Sequence, residues 1–317
     1  MPKLAFMGID TSCYTTSVAV MDEAGKLLAD CRRPLEVKTG SRGLRQSEMV
    51  FKHTRALPGL ISEAVRACGD LPVLKAVCAT IGPRSQEASY MPAFLVGAGY
   101  AEALAATHAI PYYRISHQEG HILAGLWSAK ELAANKFLAV HLSGGTTEIV
   151  LVERQLTKMT LRVLGGTTDI SAGQMVDRIG VYLGLPFPAG PYLEELARRG
   201  RGRMVALAAA VDGANISFSG PETQARRLVE AGIAPEQIAA AVEECIAESV
   251  ARMIAAACQN TGITDVLLVG GVTANAYLKE TLPARVAKEI RLFYPDPRLS
   301  PDNAVGCAYW AWRSPDD

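Results

Sequence analysis

The stretch Phe137 to Val152, FLAVHLSGGTTEIVLV, decides the fold class. A largely apolar run, Phe137–Leu142, meets the turn Ser143-Gly144-Gly145-Thr146-Thr147, and a second apolar run, Ile149–Val152, follows. Short apolar runs split by turn residues read as antiparallel strands. Leu161–Leu164 continues the pattern and closes at Gly165-Gly166-Thr167-Thr168-Asp169. The same plan opens the chain: Leu4–Ile9, the polar turn Asp10-Thr11-Ser12, Ser17–Met21, the acidic turn Asp22–Gly25, and Lys26–Leu28. The repeat is one of architecture, not of residue identity. It predicts two homologous lobes, each starting with a hairpin whose turn faces a shared cleft.

Helices fit between and after these copies. Val50–Ala67 has apolar residues at helical spacing, and Pro92–Ala109 is rich in Ala and Gly, as a buried, closely packed helix requires. Pro235–Cys258 reads as a long amphipathic helix, with Ile238, Val242, Ile246, Val250 and Ile254 four residues apart. A strand, Asp265–Val269, runs into Gly270-Gly271-Val272-Thr273-Ala274-Asn275 and a further helix. Alternating strands and helices make the lobes α/β.

The chain has 317 residues, long for one domain and sufficient for two lobes with their own cores. Hydrophobic residues are 49% and charged residues 20%, the balance of an ordinary soluble globular protein. Lys+Arg and Asp+Glu are both 32, so the net charge is zero. A protein that grips nucleic acid unaided carries a basic surplus, so an RNA substrate would need a further subunit to help hold it. The start, MPKLAFMGIDTS, lacks an apolar signal core, and no later stretch reaches the roughly 18 apolar residues of a membrane span. The expectation is a cytoplasmic protein without a membrane contact. Seven scattered cysteines without a C-x-x-C pair, Cys13 among them, read as reduced thiols.

Three segments carry chemistry. In His141-Leu142-Ser143-Gly144-Gly145-Thr146-Thr147, glycines admit an anion close to the backbone N–H groups and hydroxyls add donors. The plain alternative is a hairpin turn. Asp10-Thr11-Ser12 offers similar donors. The strand–Gly-Gly–helix segment Val269–Asn275 looks nucleotide-facing, its helix N-terminus favouring a phosphate, although it matches neither a dinucleotide-binding nor a P-loop fingerprint. The sharpest constellation is Ser116-His117-Gln118-Glu119-Gly120-His121. On a helix, His117 and His121 share one face about 5–6 Å apart at Cβ, within reach of one metal ion. Asp302, in a polar turn before an apolar C-terminal helix, is the best third ligand; its plain role would be a helix N-cap. Glu119 is at the wrong offset for the H-E-x-x-H protease motif, and no Ser/His/Asp or Cys/His nucleophile set is evident. Arg198, Arg199, Arg201 and Arg203 read as a solvated helix end, with an RNA- or partner-facing patch as the alternative.

Taken together, these motifs resemble the TsaD family, tRNA threonylcarbamoyladenosine synthases formerly described as O-sialoglycoprotein endopeptidases (Gcp), over essentially the whole chain. The residues that carry the likeness are Gly8-Ile9-Asp10-Thr11-Ser12-Cys13, Gly82-Pro83, His117 to His121, Ser143-Gly144-Gly145, and Ala172-Gly173 with Asp177. Pro188 to Pro191, Ile216-Ser217-Phe218-Ser219-Gly220, Gly270 to Asn275 and Asp302-Asn303 complete it. The resemblance implies the actin-like (acetate kinase–Hsp70–actin, ribonuclease H-like) fold. One lobe would comprise residues 1–112 with 296–317 and the other residues 113–295, with a nucleotide cleft between them. It implies His117, His121 and Asp302 as ligands of one divalent metal, iron or zinc. It further implies His141, Leu142, Ser143, Gly144 and Gly145, with Asp177, Gly190 and Asn275, as the site for an adenylate or ATP-type nucleotide. The implied reaction moves a threonylcarbamoyl group from threonylcarbamoyl-AMP to adenosine in tRNA, with TsaB-like or other accessory subunits or a homodimer as partners.

Several positions depart from the family pattern. Tyr14 and Thr15 stand where Asp and Glu are usual, Thr146 replaces a His, and Asp169-Ile170-Ser171-Ala172-Gly173-Gln174 replaces Asp-Asp-Ala-Ala-Gly-Glu. The segment between Gly82 and Phe94 is longer and more polar. Losing these carboxylates and a histidine removes candidate proton donors and acceptors, which is compatible with a divergent paralogue of altered acceptor or reduced activity. The alternative reading is a non-catalytic nucleotide-binding scaffold or regulator of the same tRNA-modification assembly. A metalloprotease ranks last because the histidines lack a neighbouring base.

Overall fold

The acidic turn near the start shows how local chemistry draws the first sheet: Asp22 accepts the backbone N–H groups of Ala24 and Lys26, and Gly25 takes φ +72°. That turn joins β2 (Thr15–Asp22) to β3 (Leu27–Pro34), and β2 also pairs antiparallel with β1 (Leu4–Asp10). In this computed structural model, which describes residues 3–12, 14–37, 44–69, 72–84, 90–129, 131–155 and 158–314, two further strands complete the sheet. β4 (Val73–Thr80) lies parallel to β1, and β5 (Tyr112–Ile115) parallel to β4, in the order β3-β2-β1-β4-β5. Cys13, at the end of the first motif, and residues 85–89 of the Gly82–Phe94 segment lie outside the described residues.

The second sheet repeats this plan. β6 (Lys136–Leu142) pairs antiparallel with β7 (Thr147–Arg154), which neighbours β8 (Met159–Gly166). Beyond the hairpin β9 (Ala210–Asp212) and β10 (Asn215–Ser217) come β11 (Asp265–Val269), parallel to β6, and β12 (Arg291–Phe293), parallel to β11. The order β12-β11-β6-β7-β8 mirrors the first sheet strand for strand. The architectural repeat expected from the two hairpins is therefore real.

The chain divides into two units, Met1–Lys130 with Gln155–Met159 and Pro295–Asp317, and Glu131–Arg154 with Thr160–Tyr294. The first runs on past residue 112, where the resemblance implied a boundary. The reason is physical: β5 hydrogen-bonds to β4, and α3 (His117–Ser128) packs against α9 (Val305–Arg313). In this unit α1 (Gln46–Ala67) buries Met49, His53, Ala56, Leu57, Leu60 and Ala64. The Ala/Gly-rich segment forms α2 (Phe94–His108) and packs as closely as its composition suggested. A Cβ on Gly97 would lie 2.8 Å from Thr11 Oγ1.

In the second unit α4 (Ala172–Tyr182), α5 (Gly190–Gly200), α6 (Ser219–Glu230) and α8 (Ala276–Arg285) accompany α7 (Pro235–Thr261). The stripe Ile238, Val242, Ile246, Val250 and Ile254 is fully buried, each side chain contributing about 1.5–3 kcal/mol relative to exposure. The alanines between them are buried too, so α7 is a core helix rather than a surface one. It ends at Gly262, whose φ of +69° supplies the left-handed cap. Among the described residues Cys31, Cys68, Cys78, Cys245, Cys258 and Cys307 are free and buried, and no helix is long and apolar enough to cross a membrane.

Candidate metal centre and nucleotide pocket

In the first unit, α3 begins with a complete capping box. Ser116 Oγ accepts the Glu119 backbone N–H, and the Glu119 carboxylate accepts from the Ser116 N–H at 2.6 Å. Glu119 is thus committed to the helix end, which explains its offset from the protease position. The cap sets His117 and His121 one turn apart, with their Nε2 atoms 3.1 Å from each other.

Asp302 Oδ1 lies 3.4 Å from both Nε2 atoms. Glycines bring it there. A Cβ on Gly306 of α9 would stand 1.9 Å from the Gly120 carbonyl oxygen of α3, and one on Gly8 of β1 2.3 Å from the Ala304 carbonyl. Only glycine lets β1, α3 and α9 approach backbone to backbone. The loop carrying Asp302 is pinned by Asn303, whose Nδ2 donates to the Leu299 and Pro301 carbonyls and whose Oδ1 accepts the Val305 N–H. Asn303, not Asp302, therefore serves the start of α9; α9 has no side-chain cap from Asp302, and the N-cap alternative is corrected.

Behind His117 stands Asp10, fully buried, its Oδ1 3.3 Å from His117 Nδ1. Ser12 and Thr80 also donate to this carboxylate. Thr11 Oγ1 donates to the Ala93 carbonyl and accepts the Gly97 N–H. The Asp10-Thr11-Ser12 turn was expected to offer donors to an anion. Instead its hydroxyls are consumed inside the fold, because β1 ends under α2. Sequence reasoning missed Asp10 as the partner of His117; its place at a strand end was the one available signal. Burial pushes the His117 imidazole down in pKa, but Asp10 and then Asp302 outweigh it and raise it to about 10. Burial, followed by the charge on His117, lowers His121. Asp302 is driven well below the usual carboxylate range: burial opposes this, and both imidazoles overcome it.

These residues fit a transition-metal cation. The three ligand atoms lie within 4.8 Å of one another. Metal–nitrogen bonds of about 2.1 Å at tetrahedral or octahedral angles separate neighbouring ligand atoms by roughly 3.0–3.4 Å, the range of the 3.1 and 3.4 Å spacings here. Two imidazoles and one carboxylate suit iron or zinc and leave positions open. Asp10 on the far nitrogen of His117 would fix that ring's tautomer and orientation.

In the second unit, the turn after β6 is held from beneath. Ser143 N–H donates to the Thr146 carbonyl, Ser143 Oγ accepts the Thr146 N–H, and Ser171 Oγ donates to the Gly144 carbonyl. A Cβ on Gly173 would lie 2.5 Å from the Ser143 carbonyl, so α4 starts against the turn. Gly144 and Gly145 are exposed, with open space where a side chain would be. His141 and Leu142 are buried, and Gly270, at φ +96°, packs on both. Asp177 accepts the Ala189 N–H and so holds the entry to α5 at Gly190; burial raises its pKa.

A pocket of about 150 Å³ lies beside this entry. Gly190 and Asn275 line it, as do Val176, Glu194, Glu243 and Gly271; His141–Gly145 and Asp177 do not. The phosphate expected at the helix after Gly-Gly is corrected. A four-residue 3-10 turn, Gly271–Ala274, comes first, and the N-terminus of α8 is already capped. Asn275 Oδ1 accepts the Leu278 N–H, and Glu194 Oε1 accepts the Ala276 N–H. A carboxylate in that place repels phosphate. Arg201 is no solvated helix end either: it lies 3.4 Å from Glu243 Oε2 and 4.7 Å over the Tyr277 ring. Glu243 was legible in principle as a charge on the apolar face of α7, with Ala239, Ala240, Ile246 and Ala247 around it.

The departures have structural employment. Tyr14 packs with Leu35, Leu44, Met49 and Ala93. Ile170 joins the core of the second unit. Gln174 completes the Ser171 capping box as a Glu would, without the charge. Asp169 accepts from Ser217 Oγ, Ser219 Oγ and the Phe218 N–H at 2.6, 2.6 and 2.9 Å; these bonds outweigh its burial and depress its pKa. The Ile216–Gly220 motif is thereby tied to the end of β8.

The family model "TsaD: tRNA N6-adenosine threonylcarbamoyltransferase" matches residues 42–309. Proteins of that name from Aromatoleum aromaticum and Thermus thermophilus are each 33% identical over 313 residues. They cover 96% and 97% of this chain and are themselves covered over 89% and 92% of their length. Among solved structures, the activator of 2-hydroxyisocaproyl-CoA dehydratase from Clostridium difficile is 14% identical with a TM-score of 0.56, covering 97% of this chain and 94% of its own. That likeness bears out the actin-like α/β fold that the resemblance implied. By family model and relatives alike, this chain belongs to the TsaD family of tRNA N6-adenosine threonylcarbamoyltransferases.

Proposed function

We propose that this protein transfers a threonylcarbamoyl group from threonylcarbamoyl-AMP to the exocyclic amine of an adenosine in tRNA, using a divalent iron or zinc ion held by His117, His121 and Asp302. The observation that carries the reading is the convergence of these three ligand atoms, from two distant segments, within 4.8 Å. In the reaction the amine nitrogen bonds to the carbamoyl carbon, the bond from that carbon to the phosphate oxygen breaks, AMP leaves, and the amine releases a proton. A bound cation supplies Lewis acidity that polarises or orients the acyl donor.

The chain's own residues supply positioning and charge control. With a cation bound, Asp10 would accept from His117 Nδ1–H and so leave Nε2 to the metal. The exposed glycines Gly144 and Gly145 present backbone N–H groups suited to a phosphate and to developing negative charge. The apolar walls beside Gly190 and Asn275 suit the nucleoside end of the adenylate. His141, Leu142 and Ser143 shape that turn, and Asp177 holds Gly190 in place. With zero net charge, the chain takes tRNA with the help of accessory subunits, a TsaB-like partner or a second copy, in the cytoplasm.

The test is reconstitution: purified protein, tRNA, threonine, bicarbonate, ATP and the partner enzymes, read by nucleoside analysis. Modified adenosine that disappears on chelation and returns with iron or zinc is the expected result. No modified adenosine, while a control enzyme works in the same mixture, would overturn the activity.

A further inference from the structure

We propose that Glu243 is a positioning residue for Asn275 in the second unit's pocket, and that Arg201 holds Glu243 in turn; this rests on the nucleotide reading of that pocket. Glu243 is 4% exposed on the buried face of α7, with Ala239, Ala240, Ile246 and Ala247 buried around it. A carboxylate is kept there only if its oxygens are paired. Oε1 accepts from Asn275 Nδ2 at 2.7 Å and Oε2 from Arg201 Nη2 at 3.4 Å. Arg201 is itself braced, since its guanidinium stacks on Tyr277, whose hydroxyl donates to Glu244, and Glu244 pairs with Arg285 at 2.8 Å.

The consequence lies in the Asn275 amide. Its Oδ1 accepts the Leu278 N–H at 3.0 Å, so the amide is held at both ends and its orientation has one solution. Nδ2 carries a second proton for which the described residues provide no acceptor. That proton, on a residue lining the pocket, is what Asn275 offers a ligand. The pocket therefore reads a hydrogen-bond acceptor at this point, a ring nitrogen or a sugar oxygen. Glu243 acts on the ligand through Asn275 rather than by touching it.

The experiment is a double-mutant cycle on the full chain, with AMP as the probe and calorimetry as the readout, alongside thermal melting. Glu243→Ala is expected to weaken AMP about tenfold, as loss of a charge-assisted hydrogen bond does. Glu243→Gln, which can still accept from Asn275, is expected to restore about half of that loss on a logarithmic scale. Asn275→Ala weakens AMP, and the double variant is expected to bind no worse than Asn275→Ala alone. In the reconstituted reaction KM for the adenylate rises while kcat at saturation holds. Should Glu243→Ala fail to fold, Arg201→Met loosens the same carboxylate from the other side and is expected to weaken AMP by about threefold. Additive losses in the cycle would mean direct contact between Glu243 and the nucleotide and overturn the proposal. So would a lowered melting temperature with unchanged AMP affinity. Failure of the parent protein to bind AMP would remove the nucleotide reading itself, a result distinct from either.

Discussion

Two hairpin turns at equivalent places in the two sheets have opposite fates. Asp10-Thr11-Ser12 turns its side chains inward: Thr11 bonds Ala93 and Gly97, Ser12 bonds Asp10, and Asp10 meets His117. Ser143-Gly144-Gly145 keeps its glycines exposed, with one carbonyl tied by Ser171. The same backbone plan thus yields a buried carboxylate beside His117 in one unit and exposed glycines in the other. The difference follows from the side chains. Hydroxyls find partners wherever a helix packs over them, whereas glycine has nothing with which to fill the space.

The strongest blow to this contrast would come at the metal. His121→Ala removes one of the three proposed ligands, and both metal affinity and threonylcarbamoyl transfer are expected to fall by about 100-fold. Elemental analysis of the purified variant checks this; one equivalent of metal still bound would mean that the cluster is not the site. Asp10→Asn keeps the shape of the first turn while removing its charge. Metal affinity is expected to drop about 10–100-fold, measured by competition with a chelator, with the ligands still in place.

Packing effects come next. Gly306→Ala drives a methyl toward the Gly120 carbonyl, and a loss of about 1–3 kcal/mol in denaturant unfolding is expected, with weaker metal binding as Asp302 shifts. Asp169→Asn sharpens the comparison through pH. The native carboxyl of Asp169 titrates below its unfolded value, so its contribution is full above about pH 5 and fades as pH falls further. The melting-temperature gap between parent and variant should accordingly be constant from pH 5 to 8, and shrink in more acidic buffer. The smallest structural effect belongs to Gly144→Ala, where nothing stands within 4 Å of the new methyl. Stability is expected to change by less than about 0.5 kcal/mol, while AMP binding weakens at least about fivefold if the turn cradles the phosphate. Unchanged AMP affinity in that variant would leave the second turn as plain as the first.

Much of this was readable in the chain. Strand runs, hairpin turns and the α7 stripe follow from periods of two and about 3.6 residues, which local chemistry enforces. The capping box at Ser116 and Glu119 and the spacing of His117 and His121 are likewise local, since one helical turn sets the distance. Those features the sequence determined alone. What only the tertiary structure decided are the long-range meetings: Asp10 with His117, Glu243 with Asn275 and Arg201, and Glu194 with the start of α8. Asp302 could be nominated from the sequence, yet its approach to the histidines depends on Gly8 and Gly306 admitting backbone against backbone. Such pairings depend on how packed elements bring distant atoms together, and no periodicity along the chain encodes a distance across it.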